Sequence, residues 1–101
     1  MKLIDFRSYQ LAKELYLVLQ KQPLRGYSRD QILRASHSIC LNLAEGSAKP
    51  STKERRRFYT IAMASTRELQ AALDLEGMNE FYDRADHLGA CVWRLIRKLD
   101  G

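Results

Sequence analysis

The sequence predicts an all-α protein, an antiparallel up-down four-helix bundle formed as a single domain by residues 1–101. Hydrophobic residues make up 46% of the 101 residues, which is enough to build one core. Only two prolines and five glycines interrupt the chain, and such sparse breakers favour long helices over many short strands. Four segments repeat their apolar residues at helical spacing, and the short links between them favour antiparallel neighbours.

The first helix is expected from Phe6 to Lys21. Its apolar face recurs at helical spacing and comprises Leu11, Leu15, Val18 and Leu19. Phe6 and Leu17 fall on the opposite side of this helix. Pro23, within the stretch 22–26, then breaks the helix because its ring removes a backbone donor.

The second helix is expected to begin near Ser28, which forms a capping-box pattern with Gln31. Its inward stripe comprises Ile32, Ser36, Ile39 and Leu43. Leu41 lies on the outer line, and Gly46 is expected to end the helix. The amide of Asn42 lies at the edge of the core face, so we expect it to hydrogen-bond a neighbouring helix or loop.

The third helix is expected to start at a second capping-box pattern, Ser51 with Glu54, and to reach Glu76. Its inward face comprises Phe58, Ile61, Ala62, Ser65, Leu69, Ala72 and Leu73. Asp83 is expected to cap the fourth helix, whose stripe comprises Ala85, Leu88, Val92, Leu95, Ile96 and Leu99. A close approach of the second and third helices is predicted by small inward residues, namely Ala35, Ser36, Ala62, Ser65 and Ala72.

The sequence contains no motif typical of a catalytic or metal site. His37 and His87 fall off the apolar centres of their helices, and no Glu-x-x-His, Gly-x-Ser-x-Gly, glycine-rich phosphate loop or Cys-x-x-Cys is present. Cys40 and Cys91 lie far apart, which favours two buried thiols in a reducing compartment and leaves a disulfide between them open. We therefore expect a protein that is not an enzyme and that takes no metal or cofactor.

Lys and Arg outnumber Asp and Glu by 17 to 12, which gives a net charge of +5 and a pI of about 9.5. Such a surplus points to nucleic acid or another acidic partner. The third helix places Lys53, Arg56 and Arg67 on the side opposite Phe58, and Arg57 lies beside them. We call these four cations the basic ridge. We expect the ridge to follow a phosphate backbone and to be extended by loop cations, namely Arg25, Arg29 and Lys49. The alternative is the ordinary solvated face of an amphipathic helix.

Four large apolar side chains lie off the inward faces of their helices and are misplaced for a monomer: Phe6, Leu17, Leu41 and Trp93. This set fits subunit contacts in a homo-oligomer. Scattered apolar residues are also normal on a protein surface. Trp93, with Arg97 one turn later, has the further alternative of stacking on a nucleic-acid base.

One block of the second helix is specific: Gln31-Ile32-x-Arg34-Ala35-x-x-Ser38-Ile39-x-x-Asn42-x-Ala44-Glu45-Gly46. It resembles the signature of the four-helix-bundle proteins of 23S rRNA intervening sequences, and we expect Ser38, Asn42, Glu45 and Gly46 to form its structural motif. The third helix continues the likeness with Lys53-Glu54, Arg57-Phe58, Ile61-Ala62, Ser65 and Glu68-Leu69. Upstream, the residues Phe6, Tyr9-Gln10 and Ala12 and the spacing of Pro23 and Tyr27 also match, so the likeness covers nearly the whole chain.

The accessory variability proteins of diversity-generating retroelements share this fold. The resemblance therefore implies a barrel-shaped homopentamer that binds RNA or DNA and associates with a reverse transcriptase. The chain departs from the pattern at Ala64-Ser65-Thr66, where many relatives have a Gly-Ser-Leu-like run. Its loop after the third helix is also short for the family.

The leading hypothesis is a homo-oligomeric accessory protein that binds nucleic acid with weak sequence preference and assists a reverse transcriptase. The second hypothesis is a protein-interaction scaffold whose charge maintains solubility, and the third is an enzyme with an unrecognised site. No apolar run reaches the ~18 residues of a membrane span. The first eight residues turn polar at once, so no signal peptide is expected. We therefore expect a cytoplasmic protein without a membrane partner.

Overall fold

The computed structural model describes residues 2–3 and 6–100. These residues form four helices: α1 (Arg7–Gln20), α2 (Gly26–Ala48), α3 (Thr52–Leu75) and α4 (Asn79–Lys98). Helix α1 packs against α2 and α4, and α3 packs against α2 and α4. Because links of only a few residues join helices that pack on each other, consecutive helices run antiparallel. The predicted all-α four-helix bundle is confirmed, with principal extents of 40 × 21 × 19 Å.

The core is filled by branched apolar side chains from every helix. Those with almost no solvent exposure are Leu15, Leu19, Ile32, Ile39, Leu43, Leu69, Leu73, Leu88 and Val92. Each buried side chain of this size contributes about 1.5–3 kcal/mol of transfer free energy. The helical spacing of these residues in the sequence is what gathers them on the four inward faces.

The start of α3 agrees with its sequence pattern. The Ser51 hydroxyl accepts a hydrogen bond from the Glu54 backbone N–H at 3.1 Å, as the N-cap prediction requires. The prediction for Ser28 is wrong, because α2 already begins at Gly26 and the Ser28 hydroxyl instead donates to the Glu76 carboxylate at 2.9 Å.

Asp83 does not cap α4, which begins at Asn79. The reason lies at the end of α3, where Gly77 adopts a positive φ of 68° and closes the helix. Its N–H donates to the Asp74 carbonyl at 3.0 Å, and the Met78 N–H donates to the Leu73 carbonyl at 3.0 Å. This Schellman motif turns the chain at once into the next helix.

Gly46 does not end α2, which continues through it to Ala48. A Cβ atom placed on Gly46 would lie 2.6 Å from Cε1 of Tyr59 and 3.1 Å from Cβ of Phe58. The glycine is therefore required by the close approach of α2 and α3. The helix ends where Lys49 takes an extended conformation ahead of Pro50, which disfavours helical geometry in the preceding residue.

The seam between α2 and α3 is lined by the predicted small residues, of which Ala35, Ser36, Ala62 and Ser65 are buried. The hydroxyls of Ser38 and Ser65 lie 2.8 Å apart and link the two helices. The amide of Asn42 donates to the Ser38 carbonyl at 2.9 Å and to the Ser38 hydroxyl at 3.2 Å. The prediction that Asn42 bonds a neighbouring helix or loop is therefore wrong, because both bonds go to Ser38 of the same helix and Ser38 makes the link to α3.

The inward face of α3 is rotated from the predicted one. Tyr59 is 5% exposed, whereas Phe58 is half-buried and Ile61 is exposed. The space left by Gly46 accepts the Tyr59 ring, and this contact sets which flank of α3 faces α2.

The expectation that Phe6 is exposed is also wrong, because this side chain is only 4% exposed. Its ring lies 6.2 Å from the ring of Tyr59, centre to centre. Helix α1 begins one residue later, and Phe6 itself has extended backbone, so its position on a helical wheel does not apply. Phe6 is part of the core and is not available for subunit contact in this structure.

Replacing Gly46 by alanine is expected to lower the free energy of unfolding by about 1–3 kcal/mol, because the methyl group collides with buried Tyr59. Gly89→Ala is the matched control. There the nearest atom is a guanidinium nitrogen of Arg67 at 3.3 Å, which can swing into solvent. Better helix propensity then gives no loss or a gain of up to about 1 kcal/mol. Equal effects of both changes in chemical denaturation would contradict the close-approach role of Gly46.

Asn42→Ala is expected to lower the free energy of unfolding by less than about 1 kcal/mol, because the Ser38 hydroxyl keeps its bond to Ser65. Chemical denaturation of both proteins measures the difference. A loss above about 2 kcal/mol that disappears on dilution would show instead that the amide has a partner on a second subunit.

Candidate nucleic-acid interface

Basic residues gather at one end of the bundle, where α1 begins, α2 joins α3 and α4 ends. We call this the basic end, and its cations are Arg7, Lys49, Lys53, Arg55, Arg56, Arg57, Arg94, Arg97 and Lys98. Among the described residues, the carboxylates there are Glu45, Glu54 and Asp100. The opposite end mixes both signs, with Lys21, Arg25, Arg29, Asp30, Asp74, Glu76, Glu80, Asp83 and Arg84. The net charge of +5 is therefore concentrated where a phosphate backbone would be attracted.

The structure brings together only part of the predicted phosphate-binding set. Lys49, Lys53, Arg56 and Arg57 lie at the basic end, and Arg67 lies three turns further along α3. Arg25 and Arg29 lie at the opposite end of the 40 Å long bundle, so they do not extend the ridge. The antiparallel course of α2 separates them from the α2–α3 link. Contact between nucleic acid and any of these residues stays a prediction.

Two members of the basic ridge, Arg56 and Arg67, reach from α3 to carboxylates on or just after α4. Arg56 forms an ion pair with Asp100, and Arg67 lies 3.9 Å from Asp86 while donating to the side-chain oxygen of Gln70. Exposed ion pairs of this kind contribute about 0–1 kcal/mol. A phosphate group can therefore replace either carboxylate at small cost.

Lys53 and Arg57 are exposed, and no carboxylate in the described part of the chain lies within ion-pair distance of them. Arg57 is held beside Phe58, with its guanidinium carbon 5.6 Å from the ring centre. The ammonium of Lys49 lies 5.2 Å from the same ring and 3.5 Å from Glu45. One half-buried ring thus lies within cation–π distance of two cations.

Trp93 lies next to the basic ridge, on the flank of α4 that faces α3. Gly89 faces Arg67 and lies one turn before Trp93 on α4, and Asp86 lies two turns before it, so these three residues share this flank. Because Asp86 and Asp100 pair with Arg67 and Arg56, Trp93 lies between the two ion pairs. The side chain is 52% exposed, and the Arg97 guanidinium carbon is 5.9 Å from its ring centre.

The other flank of α4 carries further cations that the sequence argument missed. Arg7, Arg94 and Lys98 line a groove between α1 and α4, and Arg94 donates to the Cys91 thiol at 3.3 Å. In the sequence, cations in the last turns of a helix also satisfy its dipole, so they carry no separate functional signal. Arg7 joins Arg94 and Lys98 only because α1 packs against α4 in the folded protein.

Both cysteines are free thiols. Cys40 is buried as predicted, and this burial raises the pKa of its thiol to about 11, although a backbone hydrogen bond and the charge of Lys13 act in the opposite direction. Cys91 is only partly buried, so the prediction of two buried thiols holds for Cys40 alone.

His37 and His87 are exposed, as their positions predict. Over residues 2–3 and 6–100, no three or more His, Cys, Asp or Glu side chains are grouped so that they could hold a metal ion. Within the same described residues, no helix has both the length and the apolar character needed to cross a membrane.

The expected exposure of Leu17, Leu41 and Trp93 is confirmed, although these residues lie on three different helices. Other exposed apolar residues accompany Leu41 along the α2–α3 face. Tyr27 and Leu75 are 72% and 82% exposed and line one shallow groove, and Ile61 lies one turn before Ser65. A role of Leu17, Leu41 and Trp93 in subunit contact stays a prediction.

Comparison with known proteins adds one finding to this geometry. Neither the search of curated proteins nor the search of solved structures gives a match. A family model described as 23S rRNA-intervening sequence protein matches residues 5–99, nearly the whole chain. The protein with this basic-ended four-helix bundle therefore belongs to the 23S rRNA-intervening sequence protein family.

Proposed function

We propose that this protein is a homo-oligomeric, non-enzymatic accessory protein that binds RNA or DNA through its basic end. The observation that carries the proposal is the concentration of cations at that end. Helices α1, α3 and α4 each contribute cations to it. Membership of a family described by an rRNA intervening sequence agrees with a role near nucleic acid.

Phosphate groups are the part of a nucleic acid that such a surface recognises. Lys53 and Arg57 form no ion pair with a carboxylate of the described residues, and Arg56 and Arg67 can exchange their carboxylate partners for phosphates. None of these side chains is arranged with amide or carboxylate groups in a pattern that would distinguish base edges. The binding is therefore strongly salt-dependent and weakly sequence-dependent.

Assembly of several copies would repeat the basic end around a ring. The exposed apolar residues of the α2–α3 face, with Leu17 on α1, supply contact surface for a second copy. The likeness to retroelement accessory proteins favours five subunits and association with a reverse transcriptase in the cytoplasm. Repeated basic ends let one long strand contact several subunits, which raises the apparent affinity.

A protein-interaction scaffold is the second candidate function. The observation that favours it is the groove between Tyr27 and Leu75, whose apolar side chains are among the most exposed in the molecule. In this alternative the cations maintain solubility, and the groove binds another protein.

The double change Lys53→Glu/Arg57→Glu is expected to weaken binding to RNA and DNA at least tenfold at low salt. Each lost phosphate contact should lower the log–log salt slope by roughly 0.7–0.9. Lys21→Glu/Arg25→Glu is the matched control, because it makes the same charge change on exposed residues at the opposite end. Fluorescence anisotropy with short and long strands measures all three proteins. Equal affinities and slopes for both variants would favour the scaffold.

Native mass spectrometry at micromolar concentration is expected to show a pentamer. Leu41→Glu should shift the distribution towards smaller species, because a charge would be buried at the contact. Gln20→Glu adds the same charge at an exposed polar position of α1 and should leave the assembly unchanged. A spectrum of monomer alone for the wild-type protein would exclude the subunit-contact interpretation of these side chains.

A further inference from the structure

A half-exposed tryptophan lies in the middle of a row of arginines along the seam of α3 and α4. The Arg97 guanidinium lies near the indole ring of Trp93. Along the axis of α4, the ion pair of Arg67 lies on one side of Trp93 and the ion pair of Arg56 on the other. Leaving about half of so large an apolar side chain in water costs free energy that burial elsewhere would recover. The position therefore suits a ligand with both a flat apolar face and negative charge.

The neighbouring residue on the same flank brings an arginine close to the indole. Gly89, one turn before Trp93, is buried, and a Cβ atom placed on it would lie 3.3 Å from a guanidinium nitrogen of Arg67 and 3.5 Å from Cγ2 of Thr66. The missing side chain therefore lets the Arg67 guanidinium lie against α4, one turn from the indole. A phosphate bound by Arg67 would lie beside the indole.

We propose that the α3–α4 seam binds single-stranded nucleic acid, with a base stacked on Trp93 and phosphates taken up by Arg56 and Arg67. This inference rests on the proposed nucleic-acid function and deepens it by naming the strand state and the contact residues. Arg56 and Arg67 are about 16 Å apart along the helix axis. That distance matches four to five stacked nucleotides at about 3.4 Å each.

Single strands rather than duplexes fit this site, because the faces of paired bases are covered by their neighbours. A duplex can reach the cations of the seam but offers no base face to the indole. Cations alternating with an exposed aromatic ring are the arrangement by which proteins bind single strands without sequence preference. Every base has such a face, so both RNA and DNA single strands fit.

Trp93 is the only tryptophan of the chain, so its fluorescence reports directly on this position. Oligouridylate and oligodeoxyuridylate should quench the emission on binding, whereas a duplex of equal charge should bind without quenching it. These two single-stranded probes differ only in the 2′-hydroxyl. Equal affinity in the quenching titrations supports stacking without preference for RNA or DNA, and tighter binding of one probe supports stacking with preference for that backbone. Absence of quenching by both, with binding seen by anisotropy, overturns the proposal.

Trp93→Ala should weaken single-strand binding by about 5- to 150-fold, the range for one lost stacked base. Labelled probes are used here, and duplex affinity should stay within a factor of about two. Trp93→Phe keeps a ring and should retain most of the affinity, while circular dichroism checks that both variants are folded. Equal loss of single-strand and duplex binding, together with a changed subunit number, would identify Trp93 as a subunit contact and overturn the proposal.

The outcomes separate this inference from the function on which it rests. If Trp93→Ala binds single strands like the wild type while Lys53→Glu/Arg57→Glu loses them, the stacking site fails and nucleic-acid binding stands. If the wild-type protein binds no probe at low salt, both fail together.

Discussion

The contact of the Tyr59 ring with Gly46 is the constraint on which the setting of α3 depends. The ring occupies the space that any side chain at position 46 would need, so α2 and α3 approach closely just before the link that joins them. Once Tyr59 points inward, the residues that follow it at helical spacing also point inward, and these are Ala62, Thr66, Leu69 and Leu73. Phe6 then closes over the same ring from the start of α1.

The rotation of α3 gives its two flanks different chemistry. The flank towards α2 carries hydroxyl and apolar groups and one carboxylate, with Ser65 bonded to Ser38, Glu68 paired with Arg34 and Ile61 left exposed. The flank towards α4 carries Arg56 and Arg67, whose carboxylate partners lie on or just after α4. Subunit contact on one side and phosphate contact on the other are therefore compatible within one small bundle.

The distribution of charge follows from topology more than from composition. Antiparallel helices bring the first turn of α1, the first turns of α3 and the last turns of α4 to one end, and each of these segments is basic. The ion pair of Arg56 with Asp100 at this end is exposed and weak. It orients the arginine, but a competing anion can replace the carboxylate. Weak pairs of this kind suit a surface that exchanges carboxylates for phosphates as salt and ligand change.

The sequence by itself determined the all-α class, the four helices, the cap at Ser51 and most of the core, because apolar spacing and local hydrogen bonding act within a few residues. It also contained the resemblance to the family and the exposure of Leu41 and Trp93. Only the tertiary structure decided that Gly46 is a contact point and that Phe6 is buried, because these depend on a neighbour distant in the chain. The same reason applies to the candidate site. Helical spacing identified the cations on one helix, but only the packing of α3 against α4 placed Trp93 beside them. Only the antiparallel course of α2 showed that Arg25 and Arg29 lie at the other end of the bundle and do not extend the basic ridge.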